Sequence, residues 1–388
     1  MREGEQVSPL ELFFDLVFVL AITECTQLMS DDATWGGLLR GLLVLGVLWW
    51  SWVGYSWLTS VVDPEEDAVR GFVFVAMAGA LVAALCVPDA FGSLGLEFAL
   101  AYGVVRAAHI GLFVVASRDD PKLRGSVVGL ACSTGLAVAI LIGASFLDGP
   151  AQTAVWGLAL ALDMGGPYLW GSEGWKLVPG HFAERHGLIL MIALGESIVA
   201  IGIGVGDHLT FGQAAAAVGG IGIAAGLWWL YFDVVALVAA RRLERAPVGR
   251  VQNEMARDSY SYLHFPMVAG IVLVALGMKK TLAHVEDPLE VVPAFALLGG
   301  TAVYLLAHVS FRYRHIHTVN TRRAVLAVAL LASLPVAVEL PALAVVAIVT
   351  VALWALIVVE TRSYGGTRQE VRHGDYAPGV ISSPSDSS

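Results

Sequence analysis

Several carboxylates, guanidiniums and imidazoles of this chain stand inside long apolar runs. Charge is costly there, and it is normally kept facing a bundle interior, paired or hydrated. Glu11 and Asp15, in Glu11-Leu-Phe-Phe-Asp15, are four residues apart and share one helix face at the start of the first run. They could sit at an interface and favour the positive end of a helix dipole. They could equally bind a cation, or pair with Arg185 or another basic group at a vestibule. His181, Glu184, Arg185 and His186 crowd the start of a later run, and Glu196 lies near its middle in Leu194-Gly195-Glu196-Ser197. Arg185 and Glu196 fall about 20° from the same helix face but about 16 Å apart along the axis, too far to pair directly. Arg106, midway along the fourth run with His109 one turn later, is a candidate partner for Glu196. A Glu–Arg pair would fix helix packing, and a proton or cation site would use the same carboxylate. Both readings stay open.

Asp163, Asp233, His264, His308 and Glu339 are each more simply explained by hydrogen bonds between helices. The spacing His181-x-x-Glu184-x-His186 puts its imidazoles about 140° apart on a helix, so no metal site is expected. Cys25, Cys86 and Cys132 show neither metal spacing nor a disulfide framework and read as small core residues. The Trp49, Trp50, Trp52, Trp57, Trp228 and Trp229 rings suit packing and the membrane interface. Glycine spacings such as Gly222-x-x-x-Gly226 suit close helix contact, and no Gly-Lys-Ser/Thr follows to make a phosphate loop. No Ser-His-Asp or Cys-His set can be argued from spacing, so catalytic residues and cofactors are not expected. Without basic residues interleaved with aromatics, neither is a nucleic-acid partner.

The elements that carry these residues follow from hydropathy. Over 388 residues, 57% are hydrophobic and only 14% charged, where a soluble domain carries roughly 25% charged residues. The apolar runs approach the length of about 20 residues that spans a bilayer. They predict spans near 10–29, 37–61, 71–88, 97–117, 126–147, 152–170, 183–204, 213–239, 259–279, 291–311, 324–340 and 342–360. Pro335 and Pro341 leave little room for a turn, so the last two spans could be kinked or half-length. Glu11 and Asp15 rule the first run out as a cleavable signal.

With that count and a cytoplasmic N-terminus, all but four of the 23 basic residues (Arg40, Arg106, Lys279 and Lys280) fall on one side. The positive-inside bias thus predicts a multi-pass protein of the cell membrane with both termini cytoplasmic. The net charge of −10 carries no such topological information. The tail, 362–388, reads as solvated and disordered.

The chain also reads as a doubled unit, with a first six-helix repeat at 1–175 and a second at 176–361. Glu11-Leu-Phe-Phe-Asp15 corresponds to His181-Phe-Ala-Glu184-Arg185, and Leu48-Trp49-Trp50-Ser51-Trp52 to Leu227-Trp228-Trp229-Leu230-Tyr231. His109 has a counterpart in His308. An even number of helices per unit keeps both halves in one orientation. The expected fold is therefore all-α, about twelve transmembrane helices built as two parallel six-helix repeats.

Pro9-Leu-Glu-Leu-Phe-Phe-Asp-Leu-Val-Phe-Val19, His181-Phe-Ala-Glu-Arg-His-Gly and Leu194-Gly-Glu-Ser-Ile-Val-Ala resemble, in the same order, the bacterial low temperature requirement A family. The resemblance covers nearly all the chain except the tail. It implies a polytopic membrane protein tied by name to growth in the cold, without a settled biochemical activity. Phe13-Phe-Asp15-x-Val17-Phe18-x-x-Ala21-Ile22-Thr23 is similar to the Phe-Ser-Asp signature of a family of lysosomal and bacterial potassium channels. That family uses six-helix units whose first helices line the pore. Here Phe14 replaces the middle Ser, and the second half carries Arg185, His186 and Gly187 in place of the motif.

Three functions are therefore carried forward. In the first, an ion or small solute passes between the halves. Glu11, Asp15, Glu184 and Glu196 then serve as candidate sites, and Arg106, Arg185, His109 and His308 as partners. The second is a non-catalytic membrane sensor or stress-adaptation component. The third, an intramembrane enzyme, would need a convergent acid–base or metal set. The bilayer is the one partner the sequence requires, and self-association is left open.

Overall fold

A computed structural model describes residues 6–64, 66–169, 174–205 and 209–363. Arg2 and the tail from 364 lie outside the described residues. The helices are α1 (Pro9–Asp31), α2 (Trp35–Leu58), α3 (Asp67–Cys86), α4 (Gly95–Ala116), α5 (Pro121–Ala144), α6 (Gly149–Leu169), α7 (Pro179–Gly204) and α8 (Phe211–Phe232). They continue with α9 (Val235–Arg245), α10 (Arg250–Ala256), α11 (His264–Ala283), α12 (Val291–Ile316), α13 (Thr321–Ala332), α14 (Leu334–Ala337) and α15 (Ala342–Ser363). Among the described residues there is no strand, only one isolated bridge between Pro288 and Pro341.

Among the described residues, ten helices are long and apolar enough to cross a membrane, with Phe211–Arg245 and Arg250–Ala283 each counted as one. The chain is thus an all-α, multi-pass membrane protein. The expected sixth span is the helix α6, which is not among the ten. The expected eleventh is broken at Ser333 into α13 and the single turn α14. Pro335 stands in the first turn of α14, where its missing N–H costs nothing.

Local sequence sets the helix starts that matter for the site. Ser8 caps α1: its hydroxyl accepts the Glu11 N–H at 3.3 Å while Glu11 Oε2 accepts the Ser8 N–H at 2.9 Å. This reciprocal capping box satisfies two otherwise orphaned donors. Pro179 occupies the first turn of α7.

In the interior, α1 packs on α2, α3, α7 and α11, and α7 on α1, α8, α9 and α11. The α11 and α12 backbones touch at Gly270, where a Cβ would stand 2.6 Å from the Gly300 carbonyl oxygen. A π-helical turn, Arg257–Tyr262, precedes α11 and turns Ser261 inward. Ser261 accepts the Trp49 indole N–H on its carbonyl and the Trp57 indole N–H on its hydroxyl, both at 2.9 Å. Outward faces such as Leu12, Phe13 and Leu16 of α1 and Val358 and Val359 of α15 are exposed and apolar, as lipid contact requires. Cys25 and Cys86 are buried as expected, but Cys132 is exposed. The period of α5 turns Cys132 outward, and a small apolar thiol is tolerated beside lipid.

Candidate functional site

The α1 and α7 helices lie side by side, parallel and nearly in register. His181 Nε2 meets Glu11 Oε1 at 2.8 Å, Arg185 Nη2 donates to Asp15 Oδ1 at 2.5 Å, and Thr23 Oγ1 meets Glu196 Oε2 at 2.5 Å. Progress along one helix matches progress along the other. The ionisable groups are thereby stacked along a single buried seam.

At the end formed by the helix starts, Arg185 is fully buried and organises the cluster. Besides Asp15, it donates to Thr59 Oγ1 at 3.1 Å, lies 3.6 Å from Glu11 Oε1, and stands 5.4 Å over the Trp52 ring. Trp52 Nε1 also donates to Asp15 Oδ1, at 2.8 Å. Asp15 Oδ2 is buried without a partner. Asp15 lines an open groove of about 480 Å³ between α1 and α7, walled by Leu12, Leu16, Leu188 and Met191. A buried carboxylate oxygen without a partner costs free energy, so this atom is suited to take a proton or a cation.

Farther along the seam, the Thr23 hydroxyl has two neighbours, Glu196 Oε2 at 2.5 Å and the Val19 carbonyl at 3.1 Å. A hydroxyl carries one proton and can also accept. It can donate to Glu196 as a carboxylate, or accept from Glu196 as an acid while donating to Val19. Both protonation states of Glu196 are therefore served without moving the backbone. Beyond it, Lys279 Nζ donates to Gln27 Oε1. Between the Asp15 and Thr23 levels, about 12 Å along the axis, lie buried Phe18 and Ile22 of α1 and Leu190 and Ala193 of α7. This apolar layer separates the two polar ends.

The expected partnership between Arg106 and Glu196 does not form. Arg106 Nη2 donates to Asp163 Oδ1 at 3.0 Å and to Thr134 Oγ1 at 2.7 Å, and Tyr102 donates to the other Asp163 oxygen at 2.7 Å. Arg106 faces α5 and α6, not α7, so Asp163 neutralises it within the first half. His109 is buried nearby with neither ring nitrogen partnered. His308 lies in a second cluster, with Arg323 Nη1 2.6 Å from its Nδ1. Arg323 in turn makes a two-pronged pair with Glu360 at 2.7 and 3.0 Å. Glu184 is exposed, and its Oε2 accepts the Val7 N–H at 3.2 Å. The structure thus joins Glu11, Asp15, Arg185 and Glu196 along one seam, and it leaves Arg106, His109, His308 and Glu184 elsewhere.

Sequence reasoning missed Thr23, Trp52, His181 and Asp163 as direct partners, together with the Arg323–Glu360 pair. Thr23 could have been found, because it stands 173 residues before Glu196, the offset that relates Glu11 to Glu184. Arg323 and Glu360 stand at the ends of their apolar runs and look like ordinary loop charges. Among the described residues no group of three or more His, Cys, Asp or Glu is placed to hold a metal ion.

Ten long apolar helices among the described residues define a polytopic membrane protein, and its buried charged seam lies between two of them. This chain belongs to the low temperature requirement A family: the family described as bacterial low temperature requirement A protein (LtrA) matches residues 6–358. A similar protein, the uncharacterized protein RA0937 of Rhizobium meliloti (strain 1021), is 30% identical over 310 residues, covering 76% of this chain and 74% of the relative. No solved structure matches.

Proposed function

We propose that this protein moves a cation or proton, alone or with a small solute, along the α1–α7 seam, with Asp15 and Glu196 as its binding carboxylates. The observation that carries the reading is the in-register stacking of Glu11–His181, Asp15–Arg185 and Thr23–Glu196. Intramembrane carboxylates facing each other's helices across an apolar layer are the usual makings of an ion or proton path. The activity is transport, not enzymatic catalysis.

The architecture proposed for it is twelve crossings in two parallel six-helix halves, with both termini in the cytoplasm of a cell whose plasma membrane holds the protein. Three features support this. Gly166 of α6 lies against Ser133 of α5, and Gly174, just beyond α6, against Leu123 at the start of α5, so α6 runs back the length of α5. The pair α13–α14 begins where Arg323 meets Glu360 at the end of α15. It finishes where Ala342, at the start of α15, donates to the Asp287 carbonyl, so it runs the length of α15. The contacts α1–α3, α3–α4, α4–α5 and α2–α6 have counterparts in α7–α11, α11–α12, α12–α13 and α8–α15.

A second reading, a membrane sensor or stress-adaptation component, is favoured by one observation: Arg185 and Asp15 are wholly buried against each other, as a structural clamp would be.

Thiol accessibility decides between them. With Cys25, Cys86 and Cys132 replaced by Ala, single cysteines at Phe18 and Ile22 on the seam should react with a small hydrophilic thiol reagent. Cysteines at lipid-facing Ile348 and Val351 of α15 should not. Seam positions that stay inert from both sides under every imposed gradient would mean a dry clamp.

A further inference from the structure

A cavity of about 120 Å³ lies in the second half, at the arginine-rich end of the bundle. It is enclosed by the bend between α8 and α9, the last turns of α12 and α15, and the start of α13. The bend exists because Val234 leaves helical geometry, at φ −138° and ψ −40°. Trp229, Val235, Val238 and Phe311 supply apolar wall, and Arg312, His315 and Arg323 supply donors.

Three observations give the cavity its chemistry. His315 is only 6% exposed, yet neither of its ring nitrogens has a hydrogen-bond partner. Leaving a buried imidazole unsatisfied is unfavourable, and an oxygen-rich group in the cavity would satisfy it. Arg323 is fixed by Glu360 and His308, so its guanidinium is presented in a set position. The carboxylates on the wall are Asp233 and Glu360; Glu360 is occupied by Arg323 and by Asn320 at 2.7 Å. Around the cavity, α9 brings Arg241, Arg242 and Arg245, while burying Ala239 and Leu243 on its other side. Arg314 and Arg322 stand on the neighbouring turns. The surroundings are predominantly cationic.

We propose that this cavity binds the phosphate-bearing headgroup of an anionic phospholipid. His315 and Arg312 donate to the phosphate oxygens above Arg323. The acyl chains lie along exposed apolar residues next in sequence to that wall, Trp228 beside Trp229 and Val358 beside Ile357. Basic pockets between helices at the cytoplasmic leaflet favour such headgroups, and the amphipathic α9 places its arginines at headgroup depth. Apolar wall beside cationic donors fits an amphiphile better than a free ion. The proposal rests on this cavity and on the membrane orientation proposed above, and does not depend on transport along the seam.

The test is thermal unfolding of the purified, delipidated full chain in detergent, with phosphatidylglycerol, phosphatidylcholine or inorganic phosphate added in turn. Phosphatidylglycerol should raise the midpoint by several degrees in the wild type and in Arg40→Gln, a change at the opposite end of the bundle. The shift should be lost in His315→Phe and Arg312→Gln. If His315→Phe does not fold, His315→Gln read by native mass spectrometry for retained phosphatidylglycerol takes its place. An equal shift from phosphatidylcholine would overturn the proposal, as would a shift that survives both variants. A shift reproduced by inorganic phosphate would assign the cavity to a free anion and overturn the lipid source.

Discussion

Thr23 of α1 and Glu196 of α7 meet at 2.5 Å across 173 residues of sequence, and 173 residues also separate Glu11 from Glu184. In the doubled architecture proposed above, these are matching positions of the two halves, facing each other across a twofold axis along the helices. A single position on such an axis must serve both halves, and here its two occupants differ. One is a hydroxyl and the other a carboxylate, so they make a hydrogen bond where two carboxylates would repel. Removing the hydroxyl tests this. Thr23→Val, which keeps the shape, should sharply slow ion movement, whereas Thr23→Ser should retain it. Equal rates in the two variants would remove Thr23 from the site.

The Asp15–Arg185 pair predicts a stability pattern. Arg185→Gln leaves two buried carboxylates, Glu11 and Asp15, without their guanidinium. That should destabilise the protein by about 3–5 kcal/mol. The double change Asp15→Asn with Arg185→Gln removes charge from both partners. It should cost less than the two single changes combined, by about 1 kcal/mol or more. Chemical unfolding in detergent reads the cycle, and strictly additive costs would show that the pair is not coupled.

Gly54 on α2 faces the first-half cluster, where a Cβ would stand 2.8 Å from both Arg106 Nη1 and His109 Cε1. Gly54→Ala should therefore cost about 1–3 kcal/mol by pushing Arg106 off Asp163. Gly111→Ala, with nothing within 4 Å of its Cβ, should be neutral or stabilising by up to about 1 kcal/mol. A thermal melt of both variants checks the contrast, which disappears if Arg106 moves aside freely.

How much of this was legible in the sequence varied with the kind of inference. Charge in apolar sequence singled out Glu11, Asp15, Arg185 and Glu196, all of which are buried; of the surroundings left open for Glu11 and Asp15, pairing with Arg185 is the one that forms. The helix period gives a residue's face but not the helix that face meets. Arg106 was therefore matched to Glu196 when Asp163 of α6 stands nearer. Pro335 announced the break in the eleventh span because its ring cannot continue a helix from within. Arg323 and Glu360, lying at run ends, gave no sign that tertiary packing buries them together. Cys132 was placed inside on composition alone, where only the packing of α5 could show it facing out.

The start of α1 is set by Ser8, whose hydroxyl and backbone N–H both engage Glu11. Ser8→Ala should cost about 1 kcal/mol and loosen the first turn. Hydrogen exchange at the Glu11 and Leu12 amides should quicken while the rest of α1 stays protected. Unchanged exchange would mean that Pro9 alone fixes the helix start.

The central claim is that ions move along the α1–α7 seam through Asp15 and Glu196. Its most direct test is flux into liposomes holding purified, correctly oriented protein, under imposed proton, potassium and sodium gradients. The wild type should pass one of these ions, and folded Glu196→Gln and Asp15→Asn should each lose most of that flux. No movement under any gradient, or undiminished movement in both variants, would contradict the claim and leave the seam a structural clamp.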